Sequence, residues 1–205
     1  MRLLKPKVAF LLLSLFIFNC VGFSFSNLKT AKALGKEEAQ VLVGFESMDG
    51  GGIIEAMGRA PVVPNYLDVG FKLNYLYVLV GFEIDVKYQF LHLENFSSAF
   101  DLSVQNLPIL LFTYFQKTLS ELIFVTPSWL YTYQMADWLS FTSGIKAQFF
   151  LQNWPEPLLG IPLTFDIGGK NFGAILESTC FTDRKFSGVM FDFAIAFRYN
   201  MTSDE

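Results

Sequence analysis

The sequence predicts an all-β protein, a single closed antiparallel barrel whose apolar face meets lipid. Three observations carry this expectation. Apolar and polar residues alternate with a period of two over most of the chain, the spacing that turns successive side chains to opposite faces of a strand. Of the 205 residues 52% are hydrophobic and 17% charged, against roughly a quarter charged in an ordinary soluble domain. Beyond the N-terminus, however, no apolar run reaches the roughly 18 residues that a membrane helix needs. The mean hydropathy of +0.39 is therefore spread through alternating segments.

The chain opens with a basic stretch (Arg2, Lys5, Lys7) followed by VAFLLLSLFIF. A basic region leading into an apolar run of this length has the form of a secretory signal peptide. Ser24-Phe25-Ser26 and Ala31-Lys32-Ala33 offer small-residue cleavage sites. Residues 1–33 are thus assigned to signal and N-terminal extension, and 34–205 to the barrel. Cys20, after Ile17-Phe18-Asn19, is a loose match to a bacterial lipoprotein box. Cys180 is then left alone in an alternating strand, a small apolar wall residue and not a metal ligand or nucleophile.

The strands follow in order. Val41, Val43 and Phe45 alternate with Leu42, Gly44 and Glu46. Leu67 to Tyr75 alternates in one phase and Val80 to Phe90 in the other, so a tight turn or bulge lies near Leu76–Leu79. Phe100, Leu102 and Val104 face away from Asp101, Ser103 and Gln105 and lead into LPILLFTYF. Residues 121–133, 139–151 and 159–167 continue the series, Gly168-Gly169-Lys170-Asn171 makes a hairpin turn, and 172–181 returns. The last segment, GVMFDFAIAFRYN, sets Phe191, Phe193, Ile195, Phe197 and Tyr199 against Asp192, Ala194, Ala196 and Arg198.

Alternation suits both a soluble sandwich and a transmembrane barrel. Strands of about ten residues match a tilted membrane span of about 9–11, whereas soluble strands are typically 5–6. The polar face is mostly Gly, Ala, Ser, Thr and Asn with isolated charges, where water would favour Lys and Glu. Tyr75, Tyr77, Tyr88, Phe90, Trp129, Tyr131, Tyr133, Trp138 and Trp154 fall near strand ends, as interfacial girdles require. A net charge of −4, a pI near 5.1 and the lack of a Lys/Arg-rich run give no reason to expect nucleic acid as a partner.

On these residues, and on MFDFAIAFRY above all, the chain resembles small bacterial outer-membrane β-barrels of the OmpA, OmpX and OmpW kind. The resemblance implies a bacterial outer-membrane location with lipid around the wall. It also implies that Phe193, Ile195, Phe197 and Tyr199 form the signal read by the barrel-assembly machinery. The tail MTSDE departs from that pattern, in which the final aromatic usually ends the chain.

Nine segments can be counted, and bacterial barrels of this type take an even number. The mature length favours eight; a break at Asn106-Leu107-Pro108 would give ten. An eight-stranded barrel is filled by its own side chains. The inward polar set expected is Asp68, Lys72, Glu83, Asp85, Lys87, Lys146, Asp166, Asp192 and Arg198, mutually paired because unpaired buried charge is costly. The Gly- and Pro-rich segment 48–65 is expected as a long outward loop and, with Leu91–Ser98, as the candidate site for an extracellular ligand.

Three function classes follow: a structural or surface-interaction barrel, a transporter of small and even apolar solutes as the OmpW-like resemblance implies, and a soluble secreted β-protein. Enzymes of this architecture need a histidine base beside a serine. His92 lies near Ser97 and Ser98, but position 94 of the His-x-Ser spacing is Glu, and a rim histidine is expected instead. MDGGGIIEAMGR lacks the Gly-Lys-Ser/Thr ending of a phosphate loop. No catalytic residue, cofactor or metal is expected.

Overall fold

The computed structural model describes residues 28–48, 51–76, 79–106, 109–110, 123–151, 157–182 and 189–202. The expected signal peptide, with Cys20, lies outside them, as does most of LPILLFTYF. The strands are β1 (Glu38–Met48), β2 (Gly51–Val63), β3 (Leu67–Leu76), β4 (Leu79–His92), β5 (Phe96–Asn106), β6 (Ile109–Leu110), β7 (Ile123–Ala136), β8 (Leu139–Phe150), β9 (Leu158–Gly168), β10 (Phe172–Thr182) and β11 (Val189–Thr202). Each wall strand pairs antiparallel with its neighbour. The sheet closes where β1 meets β11, from Glu38↔Thr202 to Met48↔Asp192.

Ten of these strands make the wall, which corrects the expected eight. Among the described residues the two-residue β6 pairs with β4, through Leu79↔Leu110 and Val80↔Ile109. It prolongs the β5 side past Asn106 and adds no stave, so the break at Leu107-Pro108 is not the source of the extra strand. That source is β2, which pairs with β1 from Gln40↔Arg59 to Met48↔Gly51 and with β3 from Ile54↔Tyr75 to Val63↔Leu67. The segment 48–65 is thus wall along most of its length, and the long outward loop expected there is not present. Its composition conceals it. The residues turned outward include Ala56, Gly58 and Ala60, while Ile53 and Met57 point inward beside Glu55 and Arg59. Polarity therefore fails to alternate although orientation does.

Both described ends of the wall, Glu38 and Thr202, lie at one rim, together with the short connections β2–β3, β4–β5, β7–β8 and β9–β10. The β2–β3 turn carries Asn65 at φ 65°, and the β9–β10 turn Gly168 at φ 150°. The first is a left-handed conformation that Asn and Gly tolerate best, and the second is one that glycine adopts most readily. Leu91–Ser98, paired with 48–65 as a candidate ligand loop, belongs to this terminal rim, where the Leu93 N–H bonds the Phe96 carbonyl at 2.8 Å.

The outward face is a continuous apolar belt. Phe45, Phe71, Phe82, Ile84, Leu102, Trp129, Ile145, Leu163, Phe193 and Phe197 all stand exposed on it. Tyr88, Phe90, Tyr131, Tyr133, Trp138, Phe172 and Tyr199 gather toward the terminal rim. Within that girdle the rings of Phe172 and Tyr199 meet at a tilt of 33° with centroids 4.7 Å apart, and Phe90 meets Trp129 edge-on at 6.1 Å. A soluble sandwich would press apolar faces together. Here the closed sheet turns them outward around its whole circumference, which makes this a membrane β-barrel.

Candidate functional site

The lumen is where the chemistry gathers. Lys72, on β3, forms ion pairs with Glu55 of β2 at 3.3 Å and Glu83 of β4 at 3.1 Å. Arg59 of β2 pairs with Asp85 of β4 and lies 3.9 Å from Asp68 of β3. Lys87 of β4 reaches Asp68 at 3.1 Å. Each is a contact between neighbouring or next-neighbouring strands, as inward side chains at alternate positions allow. Gly70 makes the Arg59–Asp85 pair fit: a Cβ there would meet Asp85 Oδ2 and the Arg59 guanidinium.

Across the lumen Lys146 of β8 lies 3.7 Å from Glu177 of β10 and 4.8 Å from the ring centre of Phe181. Gly160 leaves the room that Phe181 and the Lys146 stem occupy. At the terminal rim Arg198 binds Asp166 at 3.1 Å and donates to the Gly169 carbonyl at 3.1 Å.

Of the polar set expected from the sequence, Asp68, Lys72, Glu83, Asp85, Lys87, Lys146, Asp192 and Arg198 are buried within the barrel, and Asp166 is half-buried at its rim. Alternation carries further signals beyond that set: Glu46 and Asp101 occupy inward phases of segments legible as strands, and both are buried. Glu55 and Arg59 are hidden together with β2. Formally the described wall buries eight carboxylates (Glu46, Glu55, Asp68, Glu83, Asp85, Asp101, Glu177, Asp192) against five cations (Arg59, Lys72, Lys87, Lys146, Arg198).

A sixth buried cation comes from outside the wall. Residues 28–34 cross the lumen ahead of β1. Leu28 packs in an apolar layer with Leu42, Met57, Ile175, Ala194 and Ala196, on the side of β1, β2, β10 and β11. Lys29 reaches the opposite side and places its ammonium 3.1 Å from Glu83, 3.4 Å from Asp85 and 3.1 Å from Asp101. The backbone is held by wall side chains. The N–H groups of Leu28, Ala31, Ala33 and Leu34 donate to Glu177 (2.6 Å), Thr132 (2.7 Å), Gln89 (2.6 Å) and Asp68 (3.1 Å). The carbonyls of Thr30 and Lys32 accept from Lys87 at 3.0 and 2.6 Å. Ala31 rests on Ala99 and Leu130. Ten strands enclose a wider interior than eight, and much of this wall is small: Ser97, Ser128, Thr132, Ser140, Thr142 and Thr164 all face in. The segment fills what such side chains leave.

Between this segment and the terminal rim lies a cavity of about 460 Å³, bordered by Lys32, Leu34, Gln40, His92, Gln134 and Asn200 among others. A register shift between Gln89 and Leu91 resets the phase of β4, so His92 ends at this mouth. Its Nδ1 lies 2.8 Å from Gln89 Nε2. The Ser98 hydroxyl donates to the Leu130 carbonyl and accepts from Trp129 Nε1 at 2.9 Å, so it is committed to the wall.

No protein-family model matches the chain, and no curated protein matches its sequence. Among solved structures, the KdgM porin has a TM-score of 0.49 at 12% identity, covering 78% of this chain and 98% of its own. The KdgM porin in complex with disordered oligogalacturonate gives 0.48 at 11%, with the same 78% and 98% coverage. The N-terminal β-barrel domain of Pseudomonas aeruginosa OprF gives 0.38 at 11% identity, covering 82% of this chain and 99% of its own.

Proposed function

We propose that this chain is an integral protein of the bacterial outer membrane whose lumen is sealed, with a structural or surface-interaction role. The observation that carries the reading is the stack inside the barrel: an apolar layer around Leu28 beside an ionic layer around Lys29, with the ammonium of Lys29 and its three carboxylate partners at most 4% exposed. Water that moved freely along the lumen would expose such groups.

An even number of antiparallel strands with both wall ends at one rim agrees with a barrel whose termini face the periplasm. In that orientation the rim opposite the termini, where β1, β3, β5, β8 and β10 end at Met48, Leu76, Asn106, Phe150 and Thr182, faces outward from the cell and would meet any external partner. The outward residues Phe193, Ile195, Phe197 and Tyr199 of β11 support the further proposal that this strand engages the barrel-assembly machinery, since they stand exposed in a row at the closing seam.

Planar-bilayer recording of the purified protein tests the sealed lumen. Wild type is expected to insert without stable conductance steps; reproducible steps from wild type would instead favour solute transport.

A further inference from the structure

Residues 28–34 occupy the lumen in an unusual way. From Leu28 to Ala33 their described bonds to the wall run through wall side chains: Glu177, Glu83, Asp101, Thr132, Lys87 and Gln89. The first backbone tie to the wall is the Asn65 N–H donating to the Leu34 carbonyl at 2.8 Å. Directly after it comes a turn, in which the Gly35 N–H binds Glu38 Oε2 at 2.7 Å. The segment is thus hinged at the terminal rim and pinned by side chains everywhere else. Withdrawing it breaks no strand ladder. One flank already borders the 460 Å³ cavity that opens at that rim, through Thr30, Lys32, Ala33 and Leu34.

We propose that this segment is a displaceable plug latched by Lys29, and that its withdrawal opens a cation-preferring passage through the barrel. The proposal rests on the sealed-barrel reading above and on the chain being retained from residue 28 onward, which the cleavage site at Ser26 permits. Lys29 is the latch because it alone of these residues engages Glu83, Asp85 and Asp101 together. Once it leaves, those three carboxylates lose a shared counter-ion and face the vacated space. They lie on a wall that already carries more carboxylates than cations, so small cations replace the ammonium more readily than anions do. Acidic side chains lining a passage favour cations, and these three cluster on the adjacent strands β4 and β5. Ligands of matching chemistry are monovalent cations and primary amines.

The test compares wild type with Lys29→Glu in planar bilayers under a potassium chloride gradient, each first shown to be folded by heat-modifiable gel mobility. Lys29→Glu sets a fourth carboxylate among three and expels the segment. The expected result is a silent wild type, stepwise conductance from Lys29→Glu, and a reversal potential displaced toward that of potassium. Lys29→Gln, which removes the charge without repulsion, serves the same comparison should Lys29→Glu fail to fold. A thiol at Ala31→Cys, in a Cys20→Ser/Cys180→Ser background, reports the segment directly. It should resist a water-soluble maleimide when Lys29 is present and react when Lys29 is replaced. A folded, silent variant with a protected thiol overturns the latch. Conductance without preference for potassium overturns the acidic lining. Steps from wild type itself overturn the sealed-barrel reading, and with it the plug.

Discussion

The ammonium of Lys29 sits 3.1 Å from Oδ2 of Asp101, 72 residues further along the chain, and neither side chain has any exposed surface. Glu83 and Asp85 share the same ammonium. Removing one partner of a buried ion pair is far costlier than the net worth of the pair, because the other charge is stranded. Lys29→Ala is therefore expected to lower stability by about 3–5 kcal/mol, measured by urea titration in lipid vesicles. Asp101→Asn should have a smaller effect, since two carboxylates remain. The double substitution should fall short of the sum, as it does for residues sharing one network.

Gly70 is held to its identity by what lies above it. A methyl at this position meets the Asp85 carboxylate and the Arg59 guanidinium. Gly70→Ala is expected to destabilise the barrel by about 1–3 kcal/mol, the usual range for overpacking. At Gly58, on the neighbouring β2, a methyl would meet nothing within 4 Å. Gly58→Ala should leave the denaturation midpoint within the scatter of wild type.

The outward belt can be probed by depth. Leu102, near the middle of β5, is exposed to the surroundings of the barrel, as is Tyr199 near the terminal rim. If lipid is what surrounds them, Leu102→Arg costs about 2–4 kcal/mol and Tyr199→Arg about 0–1 kcal/mol. Equal and small effects at the two positions would place both in water.

Assembly and stability should separate on β11. Phe197 is exposed and borders the seam, where Val43 lies opposite it on β1. Phe197→Ala is expected to reduce the amount of folded barrel recovered from cell outer membranes while unassisted refolding in detergent proceeds to the same yield. Loss of both together would assign Phe197 to stability and not to recognition.

Much of the wall is legible in the sequence because orientation and polarity coincide. Along β11 every outward residue from Phe191 to Tyr199 is apolar, and Asp192 and Arg198 lie on the inward phase. Where the two part company the sequence misleads. Inward Ile53 and Met57 and outward Gly58 and Ala60 disguise β2 as a loop, which leaves nine segments to count, and the even-number rule and the chain length then favour eight over the ten observed. A barrel of eight would be full of its own side chains; ten strands lined by Ser and Thr are not. The filling comes from Leu28–Leu34, a stretch with no period, whose placement depends on contacts distant in sequence, such as Lys29 with Glu83 at a separation of 54 and Leu28 with Glu177 at 149. No local pattern reveals it.

If the apolar face of the closed sheet meets lipid while the opposite face is sealed inside, the two faces of one strand must differ in what reaches them. A nitroxide scan along β11, from Phe191 to Tyr199 in a Cys20→Ser/Cys180→Ser background reconstituted in liposomes, reads both faces at once. Labels at Phe191, Phe193, Ile195 and Phe197 should collide freely with dissolved oxygen and poorly with a water-soluble relaxant. Labels at Ala194 and Ala196 should be shielded from both. High accessibility of the odd positions to the water-soluble relaxant would contradict a lipid-facing wall.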